Sequence, residues 1–253
     1  MISYGAIVAG LATFLFRKYK SLRILRSHNE VTGFFFLAIA GFYSLLLSFT
    51  VFVVWDQLND IQANVSKEGS SAMALYRDIK FYPDTTESKQ LNVVYLEFVL
   101  NVLHEEFPNM ELMKPSRKTS ESFSRVFYKM ERLNPKNQFQ IQLVGKMFGH
   151  LNELATYRGL RTSSIGTEIP SPMWFPIILG AIILIACTVL LDIEHTSMHV
   201  GLTALLGAYI SMFLFIIIIL GHPYIGELAI KPISYNQIFT VEKWANEHIN
   251  TIE

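Results

Sequence analysis

Two histidines stand four residues apart in the segment "DIEHTSMH", His195 and His199, with Asp192 and Glu194 beside them. On a helix that spacing puts both imidazoles on one face, and such a pair can grip a zinc ion. The HExxH glutamate of a metalloprotease is missing, and a chain of 253 residues with one cysteine has no cysteine pair to complete a site. The segment therefore reads as a surface loop with ordinary capping residues, and no metal is assigned. "HEEF" at residues 104–107 reads as a charged helix end before Pro108. No nucleophile elbow, phosphate loop or dinucleotide fingerprint occurs. The expectation is no catalytic residue, no cofactor and no enzyme. Two acids occupy unusual places: Glu30 opens an aromatic, charge-free run, and Glu68 interrupts an apolar stripe.

The elements that must carry these acids are membrane helices. Hydrophobic residues make up 51% of the chain and gather in a few uninterrupted blocks. Gly33 to Trp55 has no charge over a length exceeding the roughly 20 residues needed to cross a bilayer core. Met173 to Leu191 and His199 to Leu220 are similarly uncharged and read as a transmembrane hairpin. Ile2 to Phe16 is shorter and reads as a short uncleaved span, because its basic residues follow the apolar run where a secretory signal would carry them in front. The fold class expected is an all-α integral membrane protein with about four transmembrane helices and a soluble helical bundle inserted between spans 2 and 3.

Lysines plus arginines equal aspartates plus glutamates, 21 each, which excludes the basic balance of a nucleic-acid binder. The basic residues have a topological meaning instead. Arg17, Lys18, Lys20, Arg23 and Arg26 crowd one short loop, and the positive-inside bias puts residues 17–30 on the cytoplasmic side of the membrane. Four spans then put the soluble region outside. Cys187 lies within a span, so no intrachain disulfide is available and redox compartment cannot be inferred.

Four divisions follow: residues 1–55 with the first two spans, 56–172 as the soluble bundle, 173–221 as the hairpin, and 222–253 as a tail. In the soluble region Leu58, Ile61, Val65, Ala72, Leu75 and Ile79 form a helical stripe that continues the second span as a rigid stem. "FYPDTTES" ends it. Leu91, Val94, Phe98 and Val102 mark a helix stopping at Pro108; Phe123, Phe127, Met130 and Leu133 mark the next, before Pro135. A last helix from about Asn137 to Arg161 is expected to bury Ile141, Val144, Phe148, Leu151 and Ala155. Ser234 and Gln237 could open a short amphipathic tail helix carrying Ile238, Phe239 and Trp244, suited to the membrane surface or the bundle.

The ordered segments "HNEVTGFFF", "VFVVWDQLND", "SKEGSSAMALYRDI", "HEEFPNM", "LATYRGLRTSS" and "GHPYIGELAI" resemble the bacterial bestrophin-like membrane family. The similarity covers about residues 25–235. It implies kinship with bestrophins, which are oligomeric anion channels built from membrane helices and long cytoplasmic helices. The bestrophin aromatic neck has a helical spacing that "FFF" at residues 34–36 does not reproduce, so no pore residue is carried across. The implied cytoplasmic helical domain also opposes the charge-based orientation.

On the second span, Ala40, Ser44 and Ser48 share one side and Phe35, Phe42 and Phe49 nearly the opposite side. Small residues four apart let membrane helices approach closely, so the first face is expected to touch protein. Ala204 and Ala208, with Gly207 and Ser211, repeat the device in the fourth span. The phenylalanine face either meets lipid or a neighbouring helix or, in a homo-oligomer closed around an axis, forms a constriction that gates inorganic ions by dewetting. Asn29 is a good N-cap and Glu30 suits a helix start; a ring of Glu30 would alternatively favour cations at the mouth, where Arg26 would favour anions. Glu68 is expected either to be solvated at the edge of a loose bundle or to pair with a buried base such as Arg77 or Arg158. Two functions remain: an oligomeric ion channel or ion pathway, and a non-conducting scaffold or sensor whose helical domain binds a protein partner.

Overall fold

A computed structural model describes residues 1–18, 29–83, 85–166, 169–191 and 193–249, with side chains through Lys243. Lys20, Arg23, Arg26, Asp192 and the Trp244 side chain lie outside the described residues. Nine α-helices carry the described chain, and no strand occurs among these residues.

Helix α1, Ile2–Lys18, has 17 residues, about 25 Å at 1.5 Å per residue and so shorter than a typical hydrocarbon core of roughly 30 Å. Helix α2, Asn29–Phe81, runs for 53 residues without interruption. The charge-free run Gly33 to Trp55 and the amphipathic end beyond it belong to one helix, and no proline interrupts it before Pro83. Helices α7, Ser171–Leu190, and α8, Thr196–Leu220, are long and apolar enough to cross a bilayer, as is the first part of α2. Three spans therefore meet the length and hydropathy expected of a crossing helix.

The chain divides into two compact units. The first contains Met1–Leu58 and Glu168–His222. Within it α1 and α8 pack at backbone distance: a Cβ on Gly207 would stand 2.6 Å from both Ala9 Cβ and the Gly5 carbonyl oxygen. Small residues at these positions let two helices touch without a side chain between them. At the end of α1, Arg17 donates to the Ile193 carbonyl and to Thr196 Oγ, tying that end to the α7–α8 link. Helix α2 meets α7 differently. Tyr43 lies over Gly180, where a Cβ would overlap its ring, and its hydroxyl donates to the Ile177 carbonyl at 3.1 Å.

The second unit contains Asn59–Thr167 and Pro223–Glu253. Its core joins the end of α2 to α3, Thr86–Asn101; α5, Arg117–Glu131; α6, Gln138–Ser163; and α9, Ile233–Ile249. Thr85 and Ser88 form a reciprocal capping box that starts α3 after the break at Pro83. The helix expected to stop at Pro108 does not. It passes through a π-helical turn, Val102–Glu106, into the short helix α4, Phe107–Glu111, with Pro108 in the first turn, where its missing N–H costs nothing. Helix α6 buries Leu151 as expected, but its other buried residues are Leu143, Met147 and Leu154, whereas Ile141 is exposed. Val144, Phe148 and Ala155 sit at the edge of the core. The observed stripe is rotated by about one residue from the expected one, because both read as helical spacing and only tertiary contacts select between them.

The segment after α8 belongs to this second core. Tyr235 and Ile238 are fully buried in it, so the helical unit begins and ends at different places from the 56–172 division and takes in part of the tail.

Candidate functional site

Helix α2 offers the first candidate. Phe35, Phe42 and Phe49 are 60%, 76% and 61% exposed, and form an apolar ridge left uncovered among the described residues. The side of α2 that packs within the chain carries Tyr43, Leu47, Thr50 and Val54. Ala40 is half-buried, while Ser44 and Ser48 are exposed, so within the chain this face is not closed by a tightly packed helix. The reason lies on the partner helix: α7 supplies the glycine, Gly180, so α2 contributes a tyrosine there. Ala40, Ser44 and Ser48 line an open apolar groove of about 350 Å³ with Leu206 and Tyr209 of α8. On α8, Ala204 and Ala208 are half-buried; a Cβ on Gly10 of α1 would touch Ala204 at 3.5 Å.

Glu30 lies in the first turn of α2 and is exposed. The two histidines part company. His195 is exposed, whereas His199 is fully buried with Nε2 2.8 Å from the Thr188 carbonyl, so that nitrogen carries the proton and donates. No metal-binding group of three or more such ligands exists among the described residues.

The second candidate is a buried charge cluster in the helical unit. Glu68 is wholly buried, and its partner is Arg161, not Arg77 or Arg158. Arg161 Nε donates to Glu68 Oε2 at 2.6 Å and Nη2 donates to Oε1 at 2.9 Å, a bidentate fork. Arg161 is itself fully buried, and also donates to Glu106 Oε2 at 2.9 Å and to the Met110 sulfur at 2.8 Å. Arg158 meets Glu106 instead, with Nη2 2.6 Å from Oε1. Arg77 is exposed, because it follows the buried Leu75 and Tyr76 onto the outer side of α2. Two arginines and two carboxylates thus neutralise one another. Tyr235 donates to Glu68 Oε1 at 2.6 Å, and Tyr224 donates to the Arg161 carbonyl at 3.2 Å while sharing a hydrogen bond with Ser164.

Burial works against the Arg161 charge, but Glu68 and then Glu106 outweigh it and hold its pKa above the ordinary arginine value. Burial, then the Glu68 charge, push the Tyr235 hydroxyl well above the usual tyrosine range. The cluster's one hydroxyl against a carboxylate, Tyr235 on Glu68, is wholly buried. The physical effect of the cluster is to fix α2, the π-helical turn, α6 and the tail against one another. Three members escaped sequence reasoning. Arg161 continues the true buried stripe of α6 at helical spacing, Leu154 to Arg158 to Arg161, which is a usable signal. Glu106 turns inward through the π-helical turn, and Tyr235 arrives from 167 residues away; neither leaves a local trace.

The fold is one already known in membrane proteins. An isoleucine-to-threonine variant of a bacterial bestrophin homologue from Klebsiella pneumoniae superposes with a TM-score of 0.63 over 94% of each chain, at 13% identity. A glycine-to-alanine variant described as a membrane protein gives 0.65 at 13% identity, covering 94% of this chain and 96% of that one. A proline-to-alanine variant described in the same way gives 0.63 at 12% identity over 94% and 93%. At such identities the likeness establishes the fold. No curated protein sequence matches the chain. The family model for the Bestrophin-like domain matches residues 4–235. That match spans both compact units, and the chain belongs to the Bestrophin-like family.

Proposed function

We propose that the protein is an oligomeric ion channel or ion pathway of a bacterial inner membrane. The observation that carries this reading is the family match across residues 4–235, since it takes in the apolar helices and the helical unit together. The bare phenylalanine ridge of α2 supports it. A monomer would leave Phe35, Phe42 and Phe49 to lipid, whereas copies arranged about an axis bring the three rings of each copy into a hydrophobic constriction. Glu30, exposed at the start of the same helix, then forms a ring at one mouth and acts on the passing ion. The groove beside Ala40, Ser44 and Ser48 receives a neighbouring helix in such an assembly.

The orientation proposed follows the basic residues: residues 17–30 face the cytoplasm and the helical unit lies outside. Arg17, bound to the α7–α8 link, supports a common side for the two short connections. Bestrophin kinship implies the reverse, so labelling is decisive. With Cys187→Ser as background, Lys136→Cys is expected to react with an impermeant maleimide in spheroplasts; reaction only after permeabilisation would put the unit in the cytoplasm.

The pore reading is tested by copy number and neighbourhood. Native mass spectrometry is expected to give a closed oligomer, and a Phe42→Cys variant in the same background is expected to cross-link between copies. A monomer, or α2 cysteines that never meet, would leave the non-conducting scaffold as the better reading.

A further inference from the structure

The segment from Pro223 to Lys243 lies on the helical unit, and four observations concern how it is held. Gly69 of α2 is its seat: a Cβ there would overlap Ser234, so the backbone of the segment approaches α2 as closely as a missing side chain permits. Its buried anchors are Tyr224 near α8, bonded to Ser164 and the Arg161 carbonyl, and Tyr235 and Ile238 in α9, while Asn236, Gln237, Thr240 and Val241 face outward and Glu242 pairs with Lys80 at the surface. By contrast α3 buries Leu91, Tyr95, Phe98 and Val99. The approach from α8 is irregular, with Pro223, Pro232 and Gly226 at φ +86°.

The fourth observation concerns what lies beneath. Tyr235 covers Glu68, but the charge of Glu68 is already matched by the Arg161 fork, and Glu106 is matched by Arg158 and Arg161. Lifting the segment therefore strands no buried charge. It exposes paired charges to water, which solvates them. Disrupting α3 or α6 would break those pairs or open the apolar core, so the two events differ in cost.

We propose that Pro223–Lys243 is a releasable latch that opens as a separate unit while the helices beneath it stay folded. Native proteins open in such contiguous pieces, and those with few buried apolar anchors open first. The open form uncovers Glu68, which Tyr235 covers in the closed form, together with its partner Arg161 and the Gly69 seat. Because the seat is on α2, the latch contacts the same helix that carries the phenylalanine ridge. The latch itself does not depend on the channel reading.

The test is hydrogen exchange by mass spectrometry on the full-length protein in nanodiscs. Peptides covering residues 233–242 are expected to exchange faster than those of α3 and α6 by at least about tenfold after correction for intrinsic rates. Tyr235→Phe removes one hydrogen bond to a charged acceptor and is expected to raise exchange in the latch by about tenfold, leaving α3 and α6 unchanged. Latch and core peptides exchanging together in the wild-type protein would overturn the proposal. So would a Tyr235→Phe variant in which all three regions accelerate equally.

Discussion

Replacing Arg161 with methionine would remove the fork to Glu68, the bond to Glu106 and the donor to Met110, and leave two carboxylates in the interior. Glu106 would keep Arg158, but Glu68 would keep the Tyr235 hydroxyl alone. Breaking a buried pair from one side typically costs ~3–5 kcal/mol, because the surviving charge remains desolvated. Both Glu68 and Arg161 are wholly buried, so solvent screening offers no relief. At roughly 3 °C per kcal/mol for a unit of this size, Arg161→Met is expected to lower the melting temperature of the helical unit by about 10–15 °C. Circular dichroism in detergent measures it. The double variant Glu68→Gln with Arg161→Met removes both charges, and is expected to recover about 1–2 kcal/mol relative to Arg161→Met alone. A melting temperature within about 3 °C of wild type for Arg161→Met, or a double variant no more stable than Arg161→Met, would refute the argument from buried charge.

Three further expectations are accessible. Gly207→Val forces a branched side chain against Ala9 and the Gly5 backbone, which cannot yield as a side-chain tip would; a loss of at least ~2 kcal/mol should appear as lower thermal stability in detergent, and wild-type melting would contradict the α1–α8 packing. Tyr43→Phe deletes the bond to the Ile177 carbonyl and should cost about 1 kcal/mol in the same assay, with no loss pointing to a different α2–α7 contact. Alkaline pH should destabilise the helical unit: burial raises Tyr76 to about 12 and raises Tyr95 and Tyr235 well above 10. The folded state thus holds these protons more tightly than the unfolded chain, so the stability these tyrosines contribute is full below about pH 10 and is lost as pH rises beyond it. Melting curves between pH 8 and pH 11 check this, and a melting temperature of the helical unit unchanged from pH 8 to pH 11 would contradict it.

Much of the architecture was legible because long apolar runs and helical stripes are local properties. Gly33 to Trp55 announces a span by itself, and the stripe from Val65 to Ile79 announces its continuation into the second core. The ends of elements were less legible where chemistry was ambiguous. Pro108 stops a helix in isolation, but a π-helical turn lets the chain absorb it at a first turn. The inward side of α6 was displaced by one residue because Ile141 and Leu143 satisfy equally good helical patterns, and only contact with α2, α3 and α5 in the common core decides. The site followed the same rule. Glu68 betrays itself by interrupting a stripe, whereas its partner Arg161 lies at the far end of a helix whose inward side only tertiary contacts select. The tail could not be placed from sequence, since the seat at Gly69 is visible only once Ser234 lies on it.

Ion flux from liposomes reconstituted with the purified protein tests the central claim most directly. The account predicts flux above that of protein-free vesicles, and a changed rate when Phe42→Ala opens the phenylalanine ridge or Glu30→Gln removes the charge proposed to ring its mouth. Vesicles that stay tight with wild type and both variants, at verified protein insertion, would contradict it.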